Sequence, residues 1–178
     1  MPFDIAETNI SYYALCALMF SVGLSVGNDP QTLKNFRSLN PRLVFLPIMT
    51  ILGTLAGSAA VSLILTHRSI TDCLAVGSGF GYYSLSSIFI TEYKGAELGT
   101  IALLANIFRE MMALLGAPLI RKYFGKLAPI SAAGVNSMDV LLPSITQYSG
   151  KDVIPIAIFH GILIDMSVPV FVLSLIHI

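Results

Sequence analysis

Four charged residues stand inside long apolar stretches: Arg109, Glu110, Asp139 and Asp165. Glu92 is marginal, at the end of such a stretch. An ionised group at the centre of a bilayer costs about 2.5–3.5 kcal/mol on insertion scales, so residues of this kind face a bundle interior or a water-filled cavity and serve an ion or solute path. Arg109 and Glu110 lie in Asn106-Ile107-Phe108-Arg109-Glu110. On a helix the spacings of three and four put Asn106, Arg109 and Glu110 on one face. Arg109 and Glu110 themselves diverge by about 100° and cannot satisfy each other. Each needs a partner elsewhere, either a structural ion pair to a neighbouring segment or a bound solute with its coupling ion.

Asp139 closes the run Gly134-Val135-Asn136-Ser137-Met138-Asp139, with Pro143 four residues on. Gly134, Asn136, Ser137 and Pro143 all weaken a helix. A helix that unwinds inside a membrane offers backbone groups and two half-helix dipoles to a bound ion, a recurrent arrangement in secondary transporters. Asp139 is therefore expected to be buried there and to bind a proton or a cation, with Asn136 and Ser137 beside it. A second Gly/Ser stretch, Gly77 to Ser87, holds Tyr82, Tyr83 and Ser84, which read as lining residues. His160, next to Gly161, reads either as a path residue or as a neutral core histidine. Asp165, five residues on, points about 140° away from it, so the two do not make one site.

No enzyme emerges from the sequence. No hydrolase grouping of serine, histidine and carboxylate, no HExxH and no P-loop is present. Gly77-Ser78-Gly79-Phe80-Gly81 lacks the strand–helix context of a dinucleotide site. Cys16 and Cys73 are far apart and form neither a CxxC pair nor a zinc pattern. No metal and no cofactor is expected.

The elements that must position these residues follow from composition. Of 178 residues, 55% are hydrophobic and only 11% charged, with zero net charge; mean hydropathy is +0.80. A soluble domain carries roughly 25% charged residues, so the chain lacks the polar cover of a soluble enzyme and the basic face of a nucleic-acid binder. The pattern is that of an all-α integral membrane protein, a multi-pass helical bundle with one or two broken or re-entrant helices. Six segments approach the roughly 20 residues that span a bilayer: Ile10–Gly27, Leu43–Thr66, Asp72–Ile90, Leu98–Ile120, Leu127–Tyr148 and Val153–Ile176. The first is not a signal peptide, because Asp4 and Glu7 flank it and no basic residue does.

Lys34, Arg37 and Arg42 lie before the second segment, and Arg121, Lys122 and Lys126 after the fourth. The positive-inside rule puts both loops on the cytoplasmic side. Three full crossings between them would put them on opposite sides, so either the rule fails once or one of the three segments enters and returns. The glycine- and serine-rich Asp72–Ile90 is the segment expected to be broken or re-entrant. Tyr12, Tyr13, Tyr93, Tyr123 and Tyr148 sit at segment ends, as interface anchors do. Gly53 and Gly57, with Ala56 and Ala60, form a small-residue face suited to close packing, within the chain or at a subunit contact.

Four stretches together resemble the lysine exporter family of bacterial inner-membrane proteins: SGFGYYSLSSIFITE (Ser78–Glu92), NIFREMMALLGAPLIRK (Asn106–Lys122), SMDVLLP (Ser137–Pro143) and IPIAIFHGILIDMSVP (Ile154–Pro169). SVGLSVGNDPQTLKN (Ser21–Asn35) is a weaker match. The likeness runs from about Phe20 to Val172. It implies export of L-lysine from the cytoplasm in exchange for protons, and a fold in the broad cation–proton antiporter and bile-acid-transporter-like group. The family's SMD acid falls on Asp139. The likeness gives Asp165 no support. It also implies an additional N-terminal membrane region, supplied in some members by a separate polypeptide, so the expected partners are such a subunit or further copies of this chain.

Lysine carries two ammonium groups and a carboxylate. Asp139 and Glu110 are suited to the first, Arg109 to the second. A sodium or organic-ion transporter of the same fold, or a non-transporting scaffold, is the alternative. The last six residues, Leu173 to Ile178, match one frame of a transposon sequencing adapter. The expectation is a single membrane domain over residues 1–172, with His177 outside it.

Overall fold

The longest apolar runs become the long helices here, and they do so despite interior breakers: Gly53 and Gly57 in the first, Gly116 and Pro118 in the second, Gly161 and Pro169 in the third. The computed structural model describes Leu43, residues 45–65 and residues 67–178, all within one unit, Leu39–Ile178. The segment Ile10–Gly27 and the loop Asn28–Arg42 lie outside the described residues. Among those described, all regular structure is helical. Helices α1 (Phe45–Ile64), α4 (Ala96–Phe124) and α7 (Ile154–Ile176) are long and apolar enough to cross a membrane. Helix α4 carries Glu97 in its first turn and Arg121 and Lys122 in its last, charges that complement the helix dipole.

Between α1 and α4 the chain makes a first hairpin of two short helices, α2 (Ile70–Gly77) and α3 (Tyr83–Lys94). The Ser69 hydroxyl caps α2 by accepting the Asp72 amide at 3.0 Å. The break is Ser78 to Tyr82. Gly81 has φ 94°, and Phe80, despite its side chain, has φ 47°, a conformation that persists only where surrounding packing holds it. Phe80 is fully buried and packs edge-on against Phe171 of α7 at 6.2 Å. The two ends of the hairpin are fastened together. Asp72 pairs with Lys94 at 3.7 Å, and Arg68 pairs with Glu97 at the start of α4. The chain therefore enters, turns at the glycines and returns to the same end of the bundle.

A second hairpin follows α4, built from α5 (Ala128–Ala133), a 3₁₀ turn (Gly134–Met138) and α6 (Leu142–Ser149). Pro143 lies in the first turn of α6, where it starts a helix instead of breaking one. Lys126 and Asp152 pair at 2.5 Å, so this segment too returns to the end it left. Its core joins Ile130, Ala133, Leu141 and Ile145 to Ala113 of α4 and Ala157 of α7. The Leu127–Tyr148 run thus folds as a return hairpin and not as a crossing.

These fastenings give the chain direction. Helix α1 runs from one end, which we call the basic end, to the other; the first hairpin dips in from that far end; α4 returns; the second hairpin dips in from the basic end; α7 runs across again. A span plus a hairpin therefore occurs twice in opposite senses, the inverted-repeat pattern common among secondary transporters. The start of α1 and the residues Arg121 to Lys126 fall at the same end.

The small face of α1 does not pack as its composition suggests. A Cβ at Gly53 or Gly57 would meet nothing within 4 Å among the described residues. Ser58 makes the close contact instead, against Gly77.

Candidate functional site

The two hairpin tips, coming from opposite ends, touch. The Val135 amide donates to the Phe80 carbonyl at 3.1 Å, and Asn136 Nδ2 reaches the Gly81 carbonyl at 3.4 Å. Glycine makes this approach possible. Gly134 has φ 63°, and a Cβ there would come within 2.1 Å of the Phe80 oxygen.

Helix α4 passes beside the junction with the face bearing Asn106, Arg109 and Glu110. Asn106 belongs to the first tip: Oδ1 accepts the Gly81 amide at 2.8 Å, and Nδ2 donates to the Val76 carbonyl at 3.2 Å. Glu110 belongs to the second, accepting from Asn136 Nδ2 at 3.0 Å. Arg109 binds the end of α5, donating from Nε to the Ala132 carbonyl at 3.1 Å and from Nη2 to the Ser131 carbonyl at 3.2 Å. Its Nη1 reaches Thr54 Oγ1 on α1 at 3.3 Å. Helix-terminal carbonyls have no intrahelical partner and carry partial negative charge, so a guanidinium suits them. Among the described residues Arg109 makes no ion pair.

His160, fully buried, ties the second tip to α1. Nδ1 lies 3.2 Å from Ser137 Oγ and Nε2 lies 3.0 Å from Thr50 Oγ1. Ser137 spends its hydroxyl hydrogen on the Ala157 carbonyl, at 2.9 Å. Thr50 Oγ1 likewise has a carbonyl acceptor, that of Leu46 at 2.9 Å. Thr50 Oγ1 is in turn 2.9 Å from Ser131 Oγ. Gly161 lets the tip approach, since a Cβ there would sit 2.6 Å from Met138 Cβ.

The junction therefore gathers Asn106, Arg109, Glu110, Asn136, Ser137 and His160. Tyr82, half-buried at the first tip, lies within electrostatic reach of Asp165, which is buried on α7 at 5% exposure. Tyr83 and Ser84 open α3 and are exposed, as is Glu92 in its last turns, so these three do not line the junction. Asp139 is also exposed. It follows the 3₁₀ turn, its amide donating to the Asn136 carbonyl at 3.3 Å, and the turn itself leaves its side chain pointing outward. The burial expected of it is not found. Thr50, Thr54 and Ser131 joined the site without a sequence signal, since a lone hydroxyl in an apolar helix reads as ordinary.

Arg109 also borders open space on two sides. A cavity of about 500 Å³ extends from Arg109 and Asn106 past Thr54, Ser58 and Gly77 to Asp72 at the far end. A second, of about 620 Å³, follows α4 the other way past Met112 and Gly116. No group of three or more histidine, cysteine or acidic residues placed to hold a metal occurs among the described residues.

The family model described as "Lysine exporter LysO" matches residues 1–176. The chain belongs to the lysine exporter family. It is 35% identical over 166 residues to "Lysine exporter LysO" of Escherichia coli (strain K12), an alignment covering 93% of this chain and 54% of that protein. It is 33% identical over 157 residues to a "Putative lysine exporter" of Haemophilus influenzae, covering 88% of this chain and 79% of that one. The chain thus spans about half the length of the E. coli relative. No solved structure matches it. The lysine exporter family is one of transporters and not of enzymes, and its apolar helices here mark a membrane protein.

Proposed function

We propose that this chain is the hairpin-bearing part of a transporter that carries L-lysine out of the cytoplasm across the bacterial inner membrane in exchange for protons. The observation that carries the reading is the meeting of two hairpin tips from opposite ends beside Arg109 and Glu110. Helices α1, α4 and α7 span, and the hairpins re-enter from the two sides. The end bearing Arg121, Lys122, Lys126 and Lys151 faces the cytoplasm. Movement of one tip opens the junction to one side while the other tip keeps it shut, which is alternating access around a fixed site. Glu110 meets an ammonium group of the substrate, and Asp139 serves as the proton or second ammonium site that the family motif implies. A membrane subunit that supplies an N-terminal region, or further copies of this chain, completes the path.

The test is efflux of labelled lysine from cells lacking other lysine exporters and fed lysine-rich dipeptides. Expression of the chain together with a membrane subunit supplying the N-terminal region is expected to restore efflux and growth. Absence of lysine efflux with and without that subunit overturns the reading, and efflux of sodium or an organic anion in its place identifies the alternative cargo.

A further inference from the structure

The geometry points to Arg109 as a carboxylate-binding residue that makes the site select α-amino acids over the corresponding amines; this rests on the transport reading above. Three observations converge. Arg109 is half-buried, yet the three hydrogen bonds it makes among the described residues go to neutral acceptors: the Ser131 and Ala132 carbonyls and the Thr54 hydroxyl. Among the described residues the neighbouring acids are engaged otherwise or point elsewhere, with Glu110 taken by Asn136 and Asp139 exposed. And Arg109 lines both cavities. A guanidinium has five N–H donors in a planar fork, and three are used among the described residues. A charge that is partly desolvated and matched only by dipoles gains most from an anion, and a carboxylate fits the fork with two parallel bonds.

The same contacts make the site responsive. Arg109 holds the second hairpin by the last carbonyls of α5. A carboxylate arriving at the guanidinium competes with those carbonyls, which are weaker acceptors than an anion. Binding therefore loosens the hold on that tip, and only a ligand bearing a carboxylate does so. A diamine of the same length satisfies Glu110 but leaves the hold intact.

The experiment measures binding to the purified full chain in lipid nanodiscs by calorimetry, with L-lysine, 1,5-diaminopentane and L-norleucine as probes. L-lysine is expected to bind about 100-fold more tightly than 1,5-diaminopentane, the ratio a bidentate charged pair supplies. Arg109→Gln removes that ratio, while Arg109→Lys, which keeps the charge and answers the concern that Gln misfolds, retains part of it. Equal binding of lysine and the diamine by the unaltered chain overturns the inference and leaves lysine export standing. Binding of L-norleucine through Arg109 alongside failed lysine efflux supports the carboxylate site and sinks lysine as the cargo. Binding of none of the carboxylate-bearing probes overturns the site.

Discussion

The Val135 amide donates to the Phe80 carbonyl at 3.1 Å, so two hairpins that enter from opposite ends share one backbone hydrogen bond. Neither half can supply this bond alone, and both ends of it sit on backbone held at positive φ or beside it. The function proposed for the chain depends on that contact being made and broken.

Gly134→Ala is accordingly expected to separate the tips. Its Cβ would meet the Phe80 oxygen at 2.1 Å on a backbone at φ 63°, and overpacking of this kind costs about 1–3 kcal/mol. Lowered thermal stability in detergent together with lost lysine efflux is the expected result. Ordinary efflux by the variant would show that the tips part without consequence.

Asp139→Asn is expected to leave the amount of folded protein unchanged, because the side chain is exposed and Arg109 depends on carbonyls instead. Surface substitutions of this kind stay within about 0.5 kcal/mol. Efflux is expected to stop, since an amide neither ionises nor releases a proton. Full efflux by a well-folded variant removes Asp139 from the path.

Much of this arrangement was legible in the residues. The apolar runs gave α1, α4 and α7, and Gly77 to Gly81 marked a segment that enters and returns. The spacing of Asn106, Arg109 and Glu110 placed them on one working face. The break in the second hairpin was legible in Gly134, Asn136, Ser137 and Pro143, but its return was not, because a broken run long enough to cross looks the same when it folds back; the Lys126–Asp152 pair tells them apart. Nor were the partners of Arg109 and His160, because backbone carbonyls and isolated hydroxyls such as Thr50 leave no mark in composition. Asp139 misled for a related reason. An acid in an apolar run reads as buried, and the direction of its side chain is set by a 3₁₀ turn that the sequence shows only as a weak helix.

The His160 chain should behave as a unit. Thr50→Val and His160→Phe each strand a buried polar partner, at about 1–3 kcal/mol apiece. The double variant is expected to lose less than the sum, because it removes both ends of the same bond. Melting temperatures of the three variants in one detergent decide this; strict additivity would show that Thr50 and His160 act apart.

Cysteines placed at His67 and Gly95, with Cys16 and Cys73 replaced, are expected to react with an impermeant maleimide from one side of the membrane, and those at Gly125 and Gly150 from the other. The ion pairs Asp72–Lys94 and Lys126–Asp152 set this expectation. Labelling of His67 and Gly95 from opposite sides would mean that the first hairpin crosses.

The tip contact also constrains how the molecule is made. Helix α2 has eight residues, about 12 Å at 1.5 Å per residue, too short to be handled as a crossing by the insertion machinery. Until residues beyond Gly125 have left the ribosome, the Phe80 carbonyl has no Val135 to meet, and an unmet backbone group in hydrocarbon costs several kcal/mol. In the re-entrant arrangement proposed above, the first hairpin then waits near the membrane surface and is drawn inward by the second. Biogenesis runs backward along the chain at this point, with the later segment completing the earlier one.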